Sequence, residues 1–272
     1  MKPAYAPSRG LRAKIGRRLT QWRAAAPDFI APERPLVSFT FDDFPMSALH
    51  GADILERHGV RGTFYAATAR LGAKVKPMGD MADAATIADL QARGHEIGAH
   101  THTHGDCAAM PVGRFHADVA ENLVQLADIG GERHVSSFAY PYGETRAAIK
   151  REAADIFATA RGVLPGVNVG WIDRAQLRAV ELGETPSRRL RAYAMLKHAI
   201  RLKAWVIFFT HDVREQPSDF GVLPRHLEDL IRFALDNGAV VDTVEGAATR
   251  TGIIQPQPAT EVSPPAALLA AE

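Results

Sequence analysis

The sequence predicts an α/β fold: a (β/α) barrel, whole or incomplete, of seven to eight mostly parallel strands. Three observations predict it. Short apolar runs rich in β-branched and aromatic residues alternate with helix-period segments from residue 35 onward. Gly59, Gly94 and Gly238 follow helical segments, where C-terminal caps belong. Polar clusters stand where the strands end, as they do at the C-terminal mouth of βα barrels. The length of 272 residues suits one such domain.

In chain order, residues 1–34 come first. Leu11, Ile15, Leu19 and Trp22 recur at helical spacing among Arg9, Arg12, Lys14, Arg17, Arg18 and Arg23. This reads as a basic amphipathic helix that either packs across the domain or contacts a membrane surface. Pro27, Pro32 and Pro35 form a linker into the first strand. The barrel occupies 35–254. Its expected strands are 36–42, 61–67, 95–100, 136–141, 156–160, 178–182, 205–211 and 239–244. Its expected helices are 47–58, 84–93, 114–129, 145–154, 187–201 and 223–237. The tail, 255–272, holds Pro256, Pro258, Pro264 and Pro265 and ends Ala-rich, which reads as disordered or loosely attached.

Composition excludes several classes. With 46% hydrophobic and 23% charged residues the chain is an ordinary globular one. A net charge of +1 gives no support to a nucleic-acid partner. The single cysteine, Cys107, allows no internal disulfide and fits a reducing compartment. No uncharged apolar run reaches the roughly 18 residues of a membrane span. Residues 1–26 lack a signal-peptide apolar core. Together these point to the cytoplasm, membrane-peripheral if the basic helix meets lipid. The oligomeric state is not legible.

The chemistry gathers at strand ends. The first strand closes on Asp42 and Asp43, adjacent carboxylates that call for a compensating cation. His100 and His104 follow the third strand, Tyr140-Pro-Tyr-Gly143 the fourth, Arg161 the fifth and Thr210-His211-Asp212 the seventh. If the chain turns helical after the third strand, imidazoles four residues apart face one way and can share an ion. With one carboxylate they make a two-histidine, one-aspartate site with open positions, suited to zinc or to cobalt, manganese or iron. Extended neighbours diverge, so one of Asp42 and Asp43 can ligate while the other faces substrate as a general base. His211, at a strand mouth, can serve as general acid. His102 is expected to point away.

These stretches resemble the polysaccharide deacetylase family (NodB homology, carbohydrate esterase family 4) over residues 35–250. Thr40-Phe41-Asp42-Asp43 matches its first motif and His100-Thr-His-Thr-His104 its second. Ala139-Tyr-Pro-Tyr-Gly143 matches its third in part, and Phe209-Thr-His211 its fifth. The resemblance implies the distorted (β/α) barrel of that family. It implies a divalent metal on Asp43, His100 and His104, zinc first, with cobalt, manganese, nickel or iron as alternatives. It implies Asp42 as base, His211 as acid and the Tyr142 backbone N–H as an oxyanion donor. The reaction would be hydrolysis of an N-acyl group, typically acetyl, from an amino sugar or related glycan. The alternatives are a deformylase or deacylase of a small, lipid-linked or nucleotide-linked sugar amide, and a degenerate sugar-binding relative without activity.

Three departures stand out. Ala139 replaces the family's arginine beside the base, and Arg161 is the candidate substitute, unless it is an exposed loop arginine. The fourth motif keeps only Trp171, so the aspartate that would orient the acid is missing; Asp212 is a weak candidate for that task. Phe44 stands where the family has glycine and is expected to narrow the rim against long polymers.

Overall fold

The structure, a computed structural model, describes residue 20 and residues 23–131 and 134–255. The expected N-terminal helix, apart from Thr20, and the tail from 256 lie outside the described residues. In order the elements are β1 (Pro27–Ile30), β2 (Leu36–Phe41), α1 (Leu49–Arg57), β3 (Thr63–Ala66), β4 (Lys74–Val75), β5 (Gly79–Asp80), α2 (Ala84–Ala92), β6 (Glu96–Ala99), α3 (Val112–Gly130), β7 (Ser137–Ala139), α4 (Ala147–Ile156), β8 (Thr159–Arg161), β9 (Gly170–Asp173), β10 (Val180–Glu181), α5 (Pro186–Leu202), β11 (Trp205–Thr210), α6 (Pro224–Asp236), β12 (Val240–Val241) and α7 (Val244–Arg250).

The main sheet has eight strands in the order β10-β11-β2-β3-β6-β7-β8, with β12 paired to the start of β2. All its pairings are parallel. Between β8 and β10 it is joined by an isolated parallel bridge from Arg161 to Leu177 and by a bond from the Ala179 N–H to the Leu164 carbonyl (3.0 Å). The sheet therefore curls into a distorted barrel, the fold class the sequence predicts, with one weak seam.

β2 and β11 lie at the centre and are buried on both faces. Their residues divide by the strand period of two. Val37, Phe39, Phe41, Val206 and Phe208 join the large core between sheet and helices, whereas Leu36, Trp205, Ile207 and Phe209 form a second cluster. Outer helices face the sheet with one apolar stripe: in α6 it is Leu227, Leu230, Ile231 and Ala234. One buried acid lies in this framework. Glu96 accepts from Ser137 Oγ, from Thr63 Oγ1 (2.8 Å) and from the Glu245 N–H (2.9 Å), tying β3, β6, β7 and α7 together. Burial pushes its carboxyl up to about 7.

Three elements differ from expectation. The proline-punctuated stretch before residue 35 holds a strand, β1, paired antiparallel to β9 with Pro27 opposite Asp173 and Ile30 opposite Gly170. Buried Lys150 fastens the chain ahead of it, donating to the carbonyls of Thr20 (3.0 Å) and Arg23 (2.9 Å) beside Asp173. A second small ribbon, β4 with β5, follows the third strand. The last expected strand shortens to two residues because Thr243 caps α7, its side chain accepting from the Gly246 N–H (3.0 Å). No helix among the described residues is long and apolar enough to cross a membrane.

Candidate active site and metal centre

β11, β2, β3, β6, β7 and β8 are successive parallel strands of the sheet, so their C-terminal ends open on one mouth. The backbone is strained there. Six described non-glycine residues have left-handed backbone, and five of them, Asp43, Phe44, Thr101, His104 and Tyr142, follow these strand ends. Each such residue costs about 1–2 kcal/mol, and such strain concentrates at functional sites. Gly143 also has positive φ, and a side chain there would strike Val163, which lines the mouth.

Three side chains converge. One ligand atom each from Asp43, His100 and His104 lies within 4.8 Å of the others, and all three residues are buried. Asp43 Oδ1 is 2.8 Å from His104 Nε2 and 3.6 Å from His100 Nε2. It makes no aligned hydrogen bond with either, an arrangement in which the donors face a shared centre rather than each other. His100 Nδ1 donates to the Ala139 carbonyl (2.7 Å), which fixes the tautomer and leaves Nε2 facing Asp43. Burial, with His104 nearby, pushes the His100 imidazole down to about 4, so it is neutral at ordinary pH as a ligand must be. Burial pulls the Asp43 carboxyl up. Contact with His104, helped by the other imidazoles, more than offsets this and holds it well below the usual carboxylate range. The donor set, two imidazoles and a carboxylate, fits a divalent ion.

The next side chains stand around this cluster. Asp42 diverges from Asp43 and meets the buried Arg161 guanidinium. That guanidinium lies over the rings of Tyr65 (4.9 Å) and Phe209 (5.1 Å). Arg161 is thus no exposed loop residue. Asp42, Asp43, His100, His104, Tyr142 and His211 line one cavity of about 550 Å³. The Tyr142 ring meets His104 edge-on at 4.6 Å.

Several expectations need correction. Residues 100–104 form no helix; left-handed Thr101 and His104 fold the loop back and bring the two rings together at 4.9 Å. Phe44 does not narrow the rim: its left-handed backbone turns the ring into the core, 5.0 Å from Phe64. Trp171 lies away from the mouth, 78% exposed on β9 opposite Phe29 of β1. Asp212 does not orient His211, because it accepts from the Ser218 N–H (2.9 Å) and pairs with Arg214 (2.6 Å). His211 Nδ1 is buried without a hydrogen-bond partner among the described residues.

Other residues were not singled out by sequence. Asn122 of α3 accepts from the His100 N–H (3.1 Å) and donates to the Ala66 carbonyl (3.0 Å) and Thr68 Oγ1 (3.1 Å). Thr68 also meets His102 Nδ1 at 2.9 Å, which draws His102 away from the cluster as expected. Arg70 places Nη1 3.0 Å from Asp43 Oδ1. Thr68 and Arg70 follow β3, a strand end that lacks a histidine or carboxylate cluster. Their presence after an apolar run was the available signal.

Fold and site together define a distorted barrel with an aspartate–histidine–histidine cluster at its mouth. Residues 30–160 match the polysaccharide deacetylase family model. A family 4 acetyl xylan esterase from Clostridium thermocellum, solved with cobalt, is 22% identical and shares the fold. It covers 80% of this chain and 93% of its own, with a TM-score of 0.58. A family 4 pseudoenzyme from Bacillus anthracis shares the fold at 16% identity, covering 79% of this chain and 66% of its own, with a TM-score of 0.52. A curated gellan lyase from Bacillus sp. is 29% identical over 54% of this chain, and the match spans 6% of that protein.

Proposed function

We propose that the protein is a metal-dependent hydrolase that removes an N-acyl group, acetyl in the first instance, from an amino sugar or related glycan. The observation that carries this reading is the convergence of Asp43, His100 and His104 on a cavity that Asp42 and His211 also line. Asp43, His100 and His104 would hold the ion. By donor set zinc is the leading choice, and cobalt, manganese, nickel or iron fit the same ligands. When bound, such an ion supplies a Lewis acid that acidifies water and polarises the acyl oxygen.

The chain's own groups do the rest. Asp42, held by Arg161, takes a proton from the attacking water as its oxygen bonds the acyl carbon. The Tyr142 N–H donates to the developing oxyanion. His211 delivers a proton to the sugar nitrogen as the C–N bond breaks, leaving a carboxylic acid and a free amine. No covalent enzyme intermediate is required.

The test is acetate release from chito-oligosaccharides by chelator-treated protein, before and after reloading with zinc or cobalt. Release that depends on the added ion supports the reading. Binding without any release supports instead a catalytically silent sugar-binding relative, which the family's missing arginine and aspartate at the third and fourth motifs would favour. Formate release from sugar formamides, or release only from lipid- or nucleotide-linked sugars, would select the deformylase or small-substrate alternative.

A further inference from the structure

We propose that the substrate carries an anionic group, a carboxylate or a phosphate, close to the acylated amino sugar, and that Lys76 and Arg191 bind it. This rests on the functional reading above and deepens it by naming the substrate's chemical class.

The cavity wall carries charges of both signs. Its three carboxylates each already face a cation. Asp42 faces Arg161, Asp43 faces Arg70 at 3.0 Å, and Glu181 faces Arg188 at 3.1 Å. Two further cations line the same cavity, Lys76 from the turn between β4 and β5 and Arg191 from α5. Both are exposed, and neither has a hydrogen bond or ion pair among the described residues. Counting Arg161 and Arg188 behind the wall, five cations meet three carboxylates, so the local charge is positive before any divalent ion is added. The surplus is local, because the whole chain carries only +1.

Arg191 stands on the second turn of α5, a helix with no acidic residue in its first turn. Arg188 is compensated by Glu181 and by the Asp219 carbonyl. Arg191 is left facing the cavity. A site that gathers uncompensated charge of one sign beside a reaction centre concentrates ligands of the other sign. Arginine further suits the planar oxygens of a carboxylate or phosphate. The remaining wall, with Val75, Met78, Val163, Pro165, Phe209 and Phe220, is apolar and offers faces for sugar rings.

A matched set of three substrates tests this: di-N-acetylchitobiose, the same disaccharide oxidised at C6 to a carboxylate, and its 1-phosphate. With ion-loaded enzyme, at least one anionic form should show kcat/KM about tenfold or more above the neutral form. Which of the two responds identifies the source of the charge. In the double variant Lys76→Gln, Arg191→Gln that ratio should fall toward one, and added salt should lower it in the native protein. A neutral substrate turned over as well as both anionic ones, or a ratio the double variant leaves unchanged, overturns the proposal. Calorimetric binding of the 1-phosphate and the C6 carboxylate to chelator-treated protein gives a second readout that needs no turnover. Binding weakened in the double variant supports the proposal, and equal binding contradicts it. If no acetate is released from any substrate, the functional reading fails while calorimetry still decides this one.

Discussion

Asp42 and Arg161 meet although the chain carries no charge at Ala139, where the family pattern would put one. The cation comes instead from the end of β8, the neighbouring strand. Both partners are buried, so removing one leaves the other charged without compensation. Arg161→Ala should therefore lower stability by about 3–5 kcal/mol in urea titrations and lower kcat/KM as well. Unchanged stability and turnover would remove Arg161 from the account. Asp42→Asn should lower turnover by about 10²–10⁴ while the bound ion is retained, because Asp42 diverges from Asp43 and faces Arg161. At this scale the sequence was informative wherever a residue type is chemically scarce. Aspartate pairs and spaced histidines at strand ends could be seen without a structure. Phe44 was misread because its place depends on a left-handed turn that residue type does not announce. Arg70 was missed because a lone arginine after a strand resembles any surface arginine.

Loop 100–104 owes its shape to α3 as much as to its own residues. Asn122 holds the His100 N–H, and the Asp118 carboxylate accepts from the Thr103 N–H (3.3 Å). Asn122 and Asp118 lie four residues apart on one face of the helix and are buried. Asn122→Ala would free the backbone that aims His100. It should weaken ion binding about 10–100-fold, the usual cost of losing an outer support, with the circular dichroism spectrum retained. Ion affinity equal to wild type would show that the loop holds its own shape. These supports were not legible in sequence, since an asparagine inside a helix pattern has no mark that says which loop it will reach. The ribbon of β1 with β9 was hidden for another reason: its strands are four residues long, and Pro27 opens one of them.

The whole barrel was readable because strand and helix periods alternate over most of its length, and most strands of the main sheet are short, apolar and followed by a helix. Its closure was not, since between β8 and β10 the chain forms an isolated bridge and one further backbone bond in place of a continuous ladder. Glu96 gives the barrel a pH dependence. Its folded pKa of about 7 lies above the ordinary value of 4.5, so its contribution is fully present below about 4.5 and is lost as pH rises through 7. The shift corresponds to about 3 kcal/mol at most. Thermal melts of native protein and Glu96→Gln should therefore diverge between pH 5 and pH 8, with native protein losing stability relative to the variant as pH rises. Parallel melting curves across that window would show that Glu96 does not titrate there.

The central claim is that one divalent ion is held by Asp43, His100 and His104. Metal content of the purified protein, measured by mass spectrometry after zinc loading and desalting, tests it most directly. The account predicts about one ion per chain in the native protein and in Asp42→Asn, and none in His100→Ala or Asp43→Ala. No ion in the native protein, or equal loading in His100→Ala, would contradict it.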